Sequence, residues 1–200
     1  ASLYGATKLV SDKLFISGNS YSGSQDSRFA VVRYGNVMGS RGSVIPFFLT
    51  QADKGVLPIT DARMTRFMIT LEEAVDLVWH AIDDMVGGEI YVKKIPSMKV
   101  TDVANAIAPN AQHKVVGIRP GEKLHEEMIN SENAPHTYEY ENYFKILPAI
   151  NNWSQDAARI NEGQPVGPDF TYSSDNNKEW MSIEMLSTWI AQNRNKIGKI

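Results

Sequence analysis

Phe29-Ala30-Val31-Val32-Arg33-Tyr34-Gly35-Asn36-Val37-Met38-Gly39 is the stretch that decides the fold. An apolar run breaks into small and polar residues, the pattern of a buried parallel strand that opens into a loop at its carboxyl end. In open α/β sheets ligands bind beyond such carboxyl ends. The turn from Tyr34 to Val37 is therefore a candidate ligand contact. Upstream, Leu9, Val10, Leu14, Phe15 and Ile16 recur at helical spacing between about Leu3 and Asn19, and Gly18-Asn19 supply a stop. That helix opens with Tyr4-Gly5-Ala6-Thr7-Lys8, which puts a phenol and an ammonium one turn apart on one face. The ammonium stabilises the phenolate, so a phenol with an ordinary pKa of about 10 becomes a base near neutrality. Taken alone, the spacing is a chance event on a solvated helix face. The helix, polar loop and strand that follow it make it a candidate proton-transfer pair.

Downstream, Gly39-Ser40-Arg41-Gly42-Ser43-Val44-Ile45-Pro46 is an amide-rich segment suited to wrapping a polar ligand, followed by a short helix from about Phe47 to Lys54. Leu71 to Met85 reads as an amphipathic helix with Thr70 as N-cap and Glu72-Glu73 in the first turn. Gly87-Gly88 then turn into a strand from Glu89 to Val92. Thr101-Asp102 open a further helix, Lys114 to Ile118 form a strand, Gly121 to Met128 a short helix, and Ile183 to Gln192 a last helix.

Two hundred residues bury one sizeable core, or one domain and part of another. The net charge of −3 offers no basic field for nucleic acid or anionic membrane, so the expected partners are small molecules or other protein subunits. Cysteine is absent, which excludes disulfides, thiolate nucleophiles and cysteine-ligated metals. No apolar stretch is long enough to span a bilayer and nothing reads as a signal peptide, so a cytoplasmic location is expected. No Gly-x-Gly-x-x-Gly or Gly-x-x-Gly-x-x-Gly turn follows a strand; Gly35, Gly39 and Gly42 have the wrong spacing. Without such a turn nothing cradles a dinucleotide pyrophosphate, and the chain is expected to be the carboxyl-terminal portion of a longer protein.

Two arginine-bearing segments point to the substrate: Leu57-Pro58-Ile59-Thr60-Asp61-Ala62-Arg63-Met64-Thr65-Arg66-Phe67 and Gly117-Ile118-Arg119-Pro120-Gly121-Glu122-Lys123-Leu124-His125-Glu126. Guanidinium forks match phosphate oxygens, so Arg66 and Arg119 converging on one site would hold a diphosphate, with Glu122 accepting from ribose hydroxyls. Arg63 reads as a surface residue or local ion pair. His125-Glu126-Glu127 lacks a second histidine at ligand spacing and reads as part of a capped surface helix, not a metal site. His113 and His136 read as surface residues, His80 as part of a helix packing face, and the aromatics from Tyr138 to Phe144 as packing.

These motifs, in this order, resemble the second half of the extended short-chain dehydrogenase/reductase family. More narrowly, Tyr4 to Lys8, Val31 to Pro46, Pro58 to Phe67, Arg119 to Glu126, His136 to Tyr140 and Tyr172 to Asn177 are similar to the inverting UDP-N-acetylglucosamine 4,6-dehydratases of that family. The resemblance implies an α/β fold: the carboxyl-terminal part of a doubly wound, Rossmann-type parallel sheet plus a smaller mixed α/β substrate-binding domain. Residues 1–40 would complete the dinucleotide-binding domain and 41–200 would be mainly substrate-binding, with the helix and strand at about 71–93 returning to the Rossmann sheet. Tyr4 and Lys8 would be catalytic and, with Tyr34, Gly35, Asn36 and Val37, would border the nicotinamide of NADP or NAD. Asn36, Ser43, Val44, Pro58, Ile59, Thr60, Arg66, Arg119 and Glu122 would contact UDP-N-acetylglucosamine, with no metal. Pro46 belongs to the same wall, and Arg41 is left between cofactor and subunit contact.

The chemistry so implied oxidises the sugar at C4, eliminates water across C5 and C6, and returns hydride to C6 with inversion at C5. An Asp-Lys pair just upstream of the tyrosine would serve as acid and base for elimination. Relatives of this kind are homo-oligomers that start pseudaminic acid synthesis for flagellin glycosylation or feed capsule and O-antigen pathways. Two alternatives remain open on sequence: a UDP-sugar epimerase of the same family, and a non-catalytic UDP-sugar-binding or oligomerisation fragment.

Overall fold

The computed structural model describes residues 3–22 and 26–199, without the side chains of Leu3, Tyr4 and Asn151. In chain order the main elements are α1 (Leu3–Tyr21), β1 (Val31–Arg33), β2 (Asn36–Val37), α2 (Val44–Gln51), β3 (Val56–Ile59), β4 (Thr65–Ile69), α3 (Leu71–Asp84), β5 (Ile90–Lys93), β6 (Ser97–Lys99), α4 (Val100–Ile107) and β7 (Gln112–Val115). They continue with β8 (Glu127–Ile129), β9 (Thr137–Glu139), β10 (Tyr143–Ile146), α5 (Ala157–Ile160), β11 (Gln164–Pro165), β12 (Tyr172–Ser173) and α6 (Ile183–Asn193). The fold is α/β with parallel sheet elements, and the chain divides into two compact units. Among the described residues no helix is long and apolar enough to cross a membrane.

The first unit comprises Ala1–Tyr34, Ala74–Lys94 and Glu127–Tyr172. Its sheet has the order β1-β5-β10-β9-β11. β1 and β5 pair in parallel, with Val31 opposite Ile90 and Arg33 opposite Val92, and β10 runs antiparallel to β5. The helix α1 is tied to the strand entry by Asn19: its Nδ2 donates to Phe29 O at 2.9 Å and its Oδ1 accepts from Phe29 N at 2.9 Å. Asp12 on the same helix takes Arg33 Nε at 2.9 Å. Leu77 and Ala81 of α3 pack on Tyr91 of β5. Where α3 ends, the buried Glu89 carboxylate accepts from Val86 N and Gly87 N at 2.9 and 2.8 Å. Gly87 and Gly88 take φ of 125° and 93° there, a turn that a side chain would strain.

A buried polar cluster closes this unit. Lys145 on β10 is 1% exposed at its side chain, its Nζ lies 2.5 Å from Asp84 Oδ2, and it donates to Arg159 O at 2.9 Å. Tyr91 Oη donates to the same carboxylate oxygen at 2.6 Å. The rings of Tyr91 and Tyr140 lie 5.4 and 5.1 Å from the ammonium. The Lys145 ammonium and the Tyr91 hydroxyl thus both have oxygen acceptors, as charge buried in a low dielectric requires.

The second unit comprises Gly35–Glu73, Ile95–Glu126 and Ser173–Ile200. β2 pairs in parallel with β4, β6 pairs antiparallel with β4, and β3 pairs in parallel with β7 from Val56 opposite Gln112 to Ile59 opposite Val115. Its core gathers Ile45 and Phe48 of α2, Leu57 and Ile59 of β3, Met68 of β4, Val103 and Ala104 of α4, and Leu186 and Ile190 of α6. The first turn of α3 is set by a capping box: Thr70 N donates to Glu73 Oε2 at 2.9 Å while Glu73 N donates to Thr70 Oγ1 at 3.2 Å.

Three local expectations change. The helix expected from Gly121 to Met128 is absent; the segment is a turn followed by β8. Its carbonyls at Lys123 and Leu124, which a helix would use internally, accept instead from the Arg66 guanidinium, and Leu124 O also accepts from Thr65 N at 3.0 Å. The expected strand at Lys114 to Ile118 begins earlier, at Gln112, because β3 pairs with it from there. The helix expected from Phe47 starts at Val44, since proline is tolerated within a first turn and Pro46 lies inside it.

Candidate functional site

A cavity of about 580 Å³ lies within the second unit, a volume in the range that small-molecule sites occupy. Asn36 and Val37 of β2 reach it, as do Ser43, Val44 and Pro46 at the start of α2, and Pro58 and Thr60 at β3. Arg66 of β4 and Arg119 and Glu122 of the loop after β7 complete the polar wall. Met38, Phe48, Met64, Met68, Val100 and Val103 give it an apolar lining. Residues drawn from five separate stretches of sequence thus meet at one site.

Ile59 does not join them. Its side chain is fully buried in the core, and its carbonyl accepts from Val116 N at 2.8 Å, so its role in the structure is packing and strand pairing. Lys8 and Tyr34 are exposed and belong to the first unit; the side chain of Tyr4 lies outside the described residues. Gly35 has a steric role. A Cβ there would collide with Phe67, 2.7 Å from its carbonyl oxygen and 2.8 Å from its carbonyl carbon. Gly35→Ala must therefore push β2 from β4, with an expected loss of about 1–3 kcal/mol in urea unfolding. A midpoint equal to wild type would show that the strands accommodate the methyl.

The start of α2 is built around a hydroxyl without a partner. Ser43 is the N-cap, with extended φ and ψ of −80° and 173°, yet its side chain makes no capping bond. A capping hydroxyl takes the N–H of the second or third helical residue. The third is Pro46, which has none. Ser43 Oγ is consequently buried and has no hydrogen-bond partner among the described residues, in the wall of the cavity. Buried polar atoms of this kind are uncommon in native proteins, and a ligand hydroxyl or phosphate oxygen would satisfy this one.

The two arginines differ. Arg66 Nη1 donates to Thr65 O at 2.7 Å and Leu124 O at 3.0 Å, Nη2 donates to Lys123 O at 3.1 Å, and Nε lies 3.7 Å from Glu126 Oε1. Most of its fork clamps the loop. Arg119 is exposed and starts a tight turn in which Glu122 N donates to Arg119 O at 3.0 Å and Arg119 N donates to Glu122 Oε2 at 3.2 Å. Pro120 then Gly121, at φ 84°, suit the two central positions of that turn. Arg63 is held by Asp61 at 2.8 Å, and that bond is the main reason the Asp61 carboxyl falls to about 2.

Sequence reasoning passed over the supports of this loop. His125 belongs to no helix: its Nδ1 lies 2.8 Å from Thr65 Oγ1, which is 2.7 Å from Ser174 Oγ. Ser174 also fixes Glu126, whose N donates to Ser174 Oγ at 2.9 Å while Glu126 O accepts from Ser174 N at 2.7 Å. The contacts span more than a hundred residues of chain, which no local pattern reports. No acidic and histidine cluster suited to a metal occurs among the described residues.

Residues 1–148 match the family model described as polysaccharide biosynthesis protein. Over 192 residues the chain is 54% identical to the UDP-N-acetylglucosamine 4,6-dehydratase (inverting) of Campylobacter jejuni, covering 92% of this chain and 57% of that protein. It is 37% identical over 147 residues to the UDP-glucose 4-epimerase of Rickettsia rickettsii, covering 71% of this chain and 43% of that one. Among solved structures, Pen from Bacillus thuringiensis superposes with a TM-score of 0.81 at 32% identity, over 96% of this chain and 57% of that one. The chain thus spans a little over half the length of relatives it matches closely.

Proposed function

We propose a function from one premise: the chain belongs to the polysaccharide biosynthesis protein family. It is the sugar-nucleotide-binding part of an enzyme that converts UDP-N-acetylglucosamine to a UDP-4-keto-6-deoxy-hexosamine with inversion at C5. The supporting observation is the meeting of Asn36, Ser43, Thr60, Arg119 and Glu122 on one cavity in a chain 54% identical to a dehydratase with that substrate in its name.

In this reading the exposed Arg119 supplies the phosphate fork, Ser43 and the N–H groups at the start of α2 take the remaining diphosphate oxygens, and Glu122 accepts from the ribose. Arg66 holds the loop that carries Arg119 and Glu122, and presents the remainder of its charge to the cavity. The apolar lining takes the faces of the uracil and sugar rings. Tyr4 removes the proton from the sugar 4-hydroxyl, with Lys8 one turn on supporting the phenolate. NADP or NAD, when bound, would accept the hydride from C4 and return it to C6, so no net reductant is consumed. Its nicotinamide end would be held by Tyr4 and Lys8, one helical turn apart in sequence, and by Tyr34, Gly35, Asn36 and Val37, which follow the carboxyl end of β1.

Incubation with UDP-N-acetylglucosamine and mass analysis tests the reaction: loss of one water per turnover supports dehydration. A product of unchanged mass supports the second reading, a UDP-sugar epimerase, which the similarity to the Rickettsia rickettsii protein favours. Arg119→Ala is expected to weaken UDP binding by about 1.5–3 kcal/mol, the worth of a lost charged hydrogen bond. Unchanged affinity in calorimetry would return Arg119 to a purely structural role in its turn.

A further inference from the structure

Glu126 stands between two cavity residues. Its two carboxylate oxygens lie 3.0 and 3.1 Å from one amide position of Asn36, and its Oε1 lies 3.7 Å from Arg66 Nε. Phe67 N donates to its Oε2 at 3.3 Å. An ionised carboxylate only accepts, so the Asn36 atom facing it is Nδ2 and the carbonyl Oδ1 is turned away. Asn36 itself is exposed in the cavity wall.

We infer that Glu126 is a positioning residue: it fixes the Asn36 amide so that the cavity presents a carbonyl acceptor there, and the site selects a ligand carrying a hydrogen-bond donor at that point. In the UDP-sugar reading, on which the choice of ligand rests, the donor is a hydroxyl of the hexosamine ring or its acetamido N–H, neither of which UDP alone supplies. The backbone of Glu126 is held in both directions by Ser174, so the carboxylate is fixed before any ligand arrives. Fixed geometry of this kind is what makes an orienting contact effective.

The arrangement is sensitive to protonation. Burial raises the Glu126 carboxyl above the usual range, opposed by the charges of Arg66 on β4 and Lys123 on its own loop and by the Phe67 N–H. His125 is turned to Thr65 and Asp175, and Asn36 on β2 is neutral. A protonated Glu126 gains a donor, and the amide is then free to reverse.

Two measurements test this. In the wild-type protein the Asn36 side-chain amide resonance, assigned with Asn36→Asp, should shift between pH 7 and pH 4 and stop doing so in Glu126→Gln. An Asn36 amide signal that ignores pH in the wild type overturns the inference whatever binds. By calorimetry, Glu126→Gln should bind UDP within about twofold of wild type, yet bind UDP-N-acetylglucosamine about tenfold more weakly at neutral pH, one hydrogen bond's worth. The wild type should lose affinity for UDP-N-acetylglucosamine in acid, and the variant, which keeps His125 and Glu122, should lose less. Equal UDP-N-acetylglucosamine affinity and equal pH profiles in the two proteins also overturn the inference. A wild type in which Asn36 titrates but neither UDP compound binds refutes the UDP-sugar reading and leaves the orienting role standing.

Discussion

In the full-length protein, Tyr4→Phe should lower turnover of UDP-N-acetylglucosamine by about 1,000-fold, the midrange of what a positioned acid-base group contributes, while UDP affinity stays within about twofold. Phenylalanine keeps the ring and removes only the oxygen that takes the proton. Among the described residues, those lining the cavity proposed to hold the nucleotide all belong to the second unit. Product formation followed by mass, beside a UDP titration of the same preparation, reads both halves of the expectation. Near-normal turnover would assign the base elsewhere; lost UDP binding would mean that the substitution acts on structure.

Asp84→Ala is expected to cost about 3–5 kcal/mol in urea unfolding, because it strands the Lys145 ammonium where water does not reach. Asp84→Leu combined with Lys145→Met should recover most of that loss, since two apolar groups need no partner. Equal stability of Asp84→Ala and wild type would mean that Arg159 O and the tyrosine rings satisfy the charge unaided. The same pair sets an acid limit. Burial pushes the Asp84 carboxyl up, but Lys145 and the Tyr91 hydroxyl outweigh it and hold the group below its ordinary value. A carboxyl depressed in the folded state stabilises fully above its unfolded value of about 4, and that contribution fades as pH falls through the lower folded value. The double variant should lack this part of the acid limb.

Amphipathic periodicity and caps made α3 and α6 readable: Thr70 and Glu73 form the box that their spacing announces, and α6 runs from Ile183 to within one residue of its expected end. Most residues now found in the cavity wall were expected from the family resemblance, with the guanidinium groups of Arg66 and Arg119 adding a chemical reason of their own. Ile59 was not separable from Pro58 and Thr60 by composition, since alternation along β3 buries it while its neighbours reach the cavity. The 121–128 segment was misread because Arg66, more than fifty residues earlier, takes the carbonyls that a helix needs. The turn between β9 and β10 is marked by Tyr140 and Tyr143, whose rings stack at 4.5 Å; the sequence showed their packing character but not the hairpin. Glu126 was invisible for a related reason: its meaning comes from Asn36, Arg66 and Ser174, which only the folded chain assembles.

Pro46 has a thermodynamic consequence. A helix whose cap serine is denied its usual amide starts with an incomplete first turn, so an anion seated there would finish secondary structure as well as fill space. Occupancy and the order of α2 would then be linked equilibria, and the melting temperature should climb with the logarithm of nucleotide concentration once the site saturates. Replacing Pro46 by alanine gives the serine an internal partner and should weaken that coupling, leaving a helix more content without its guest.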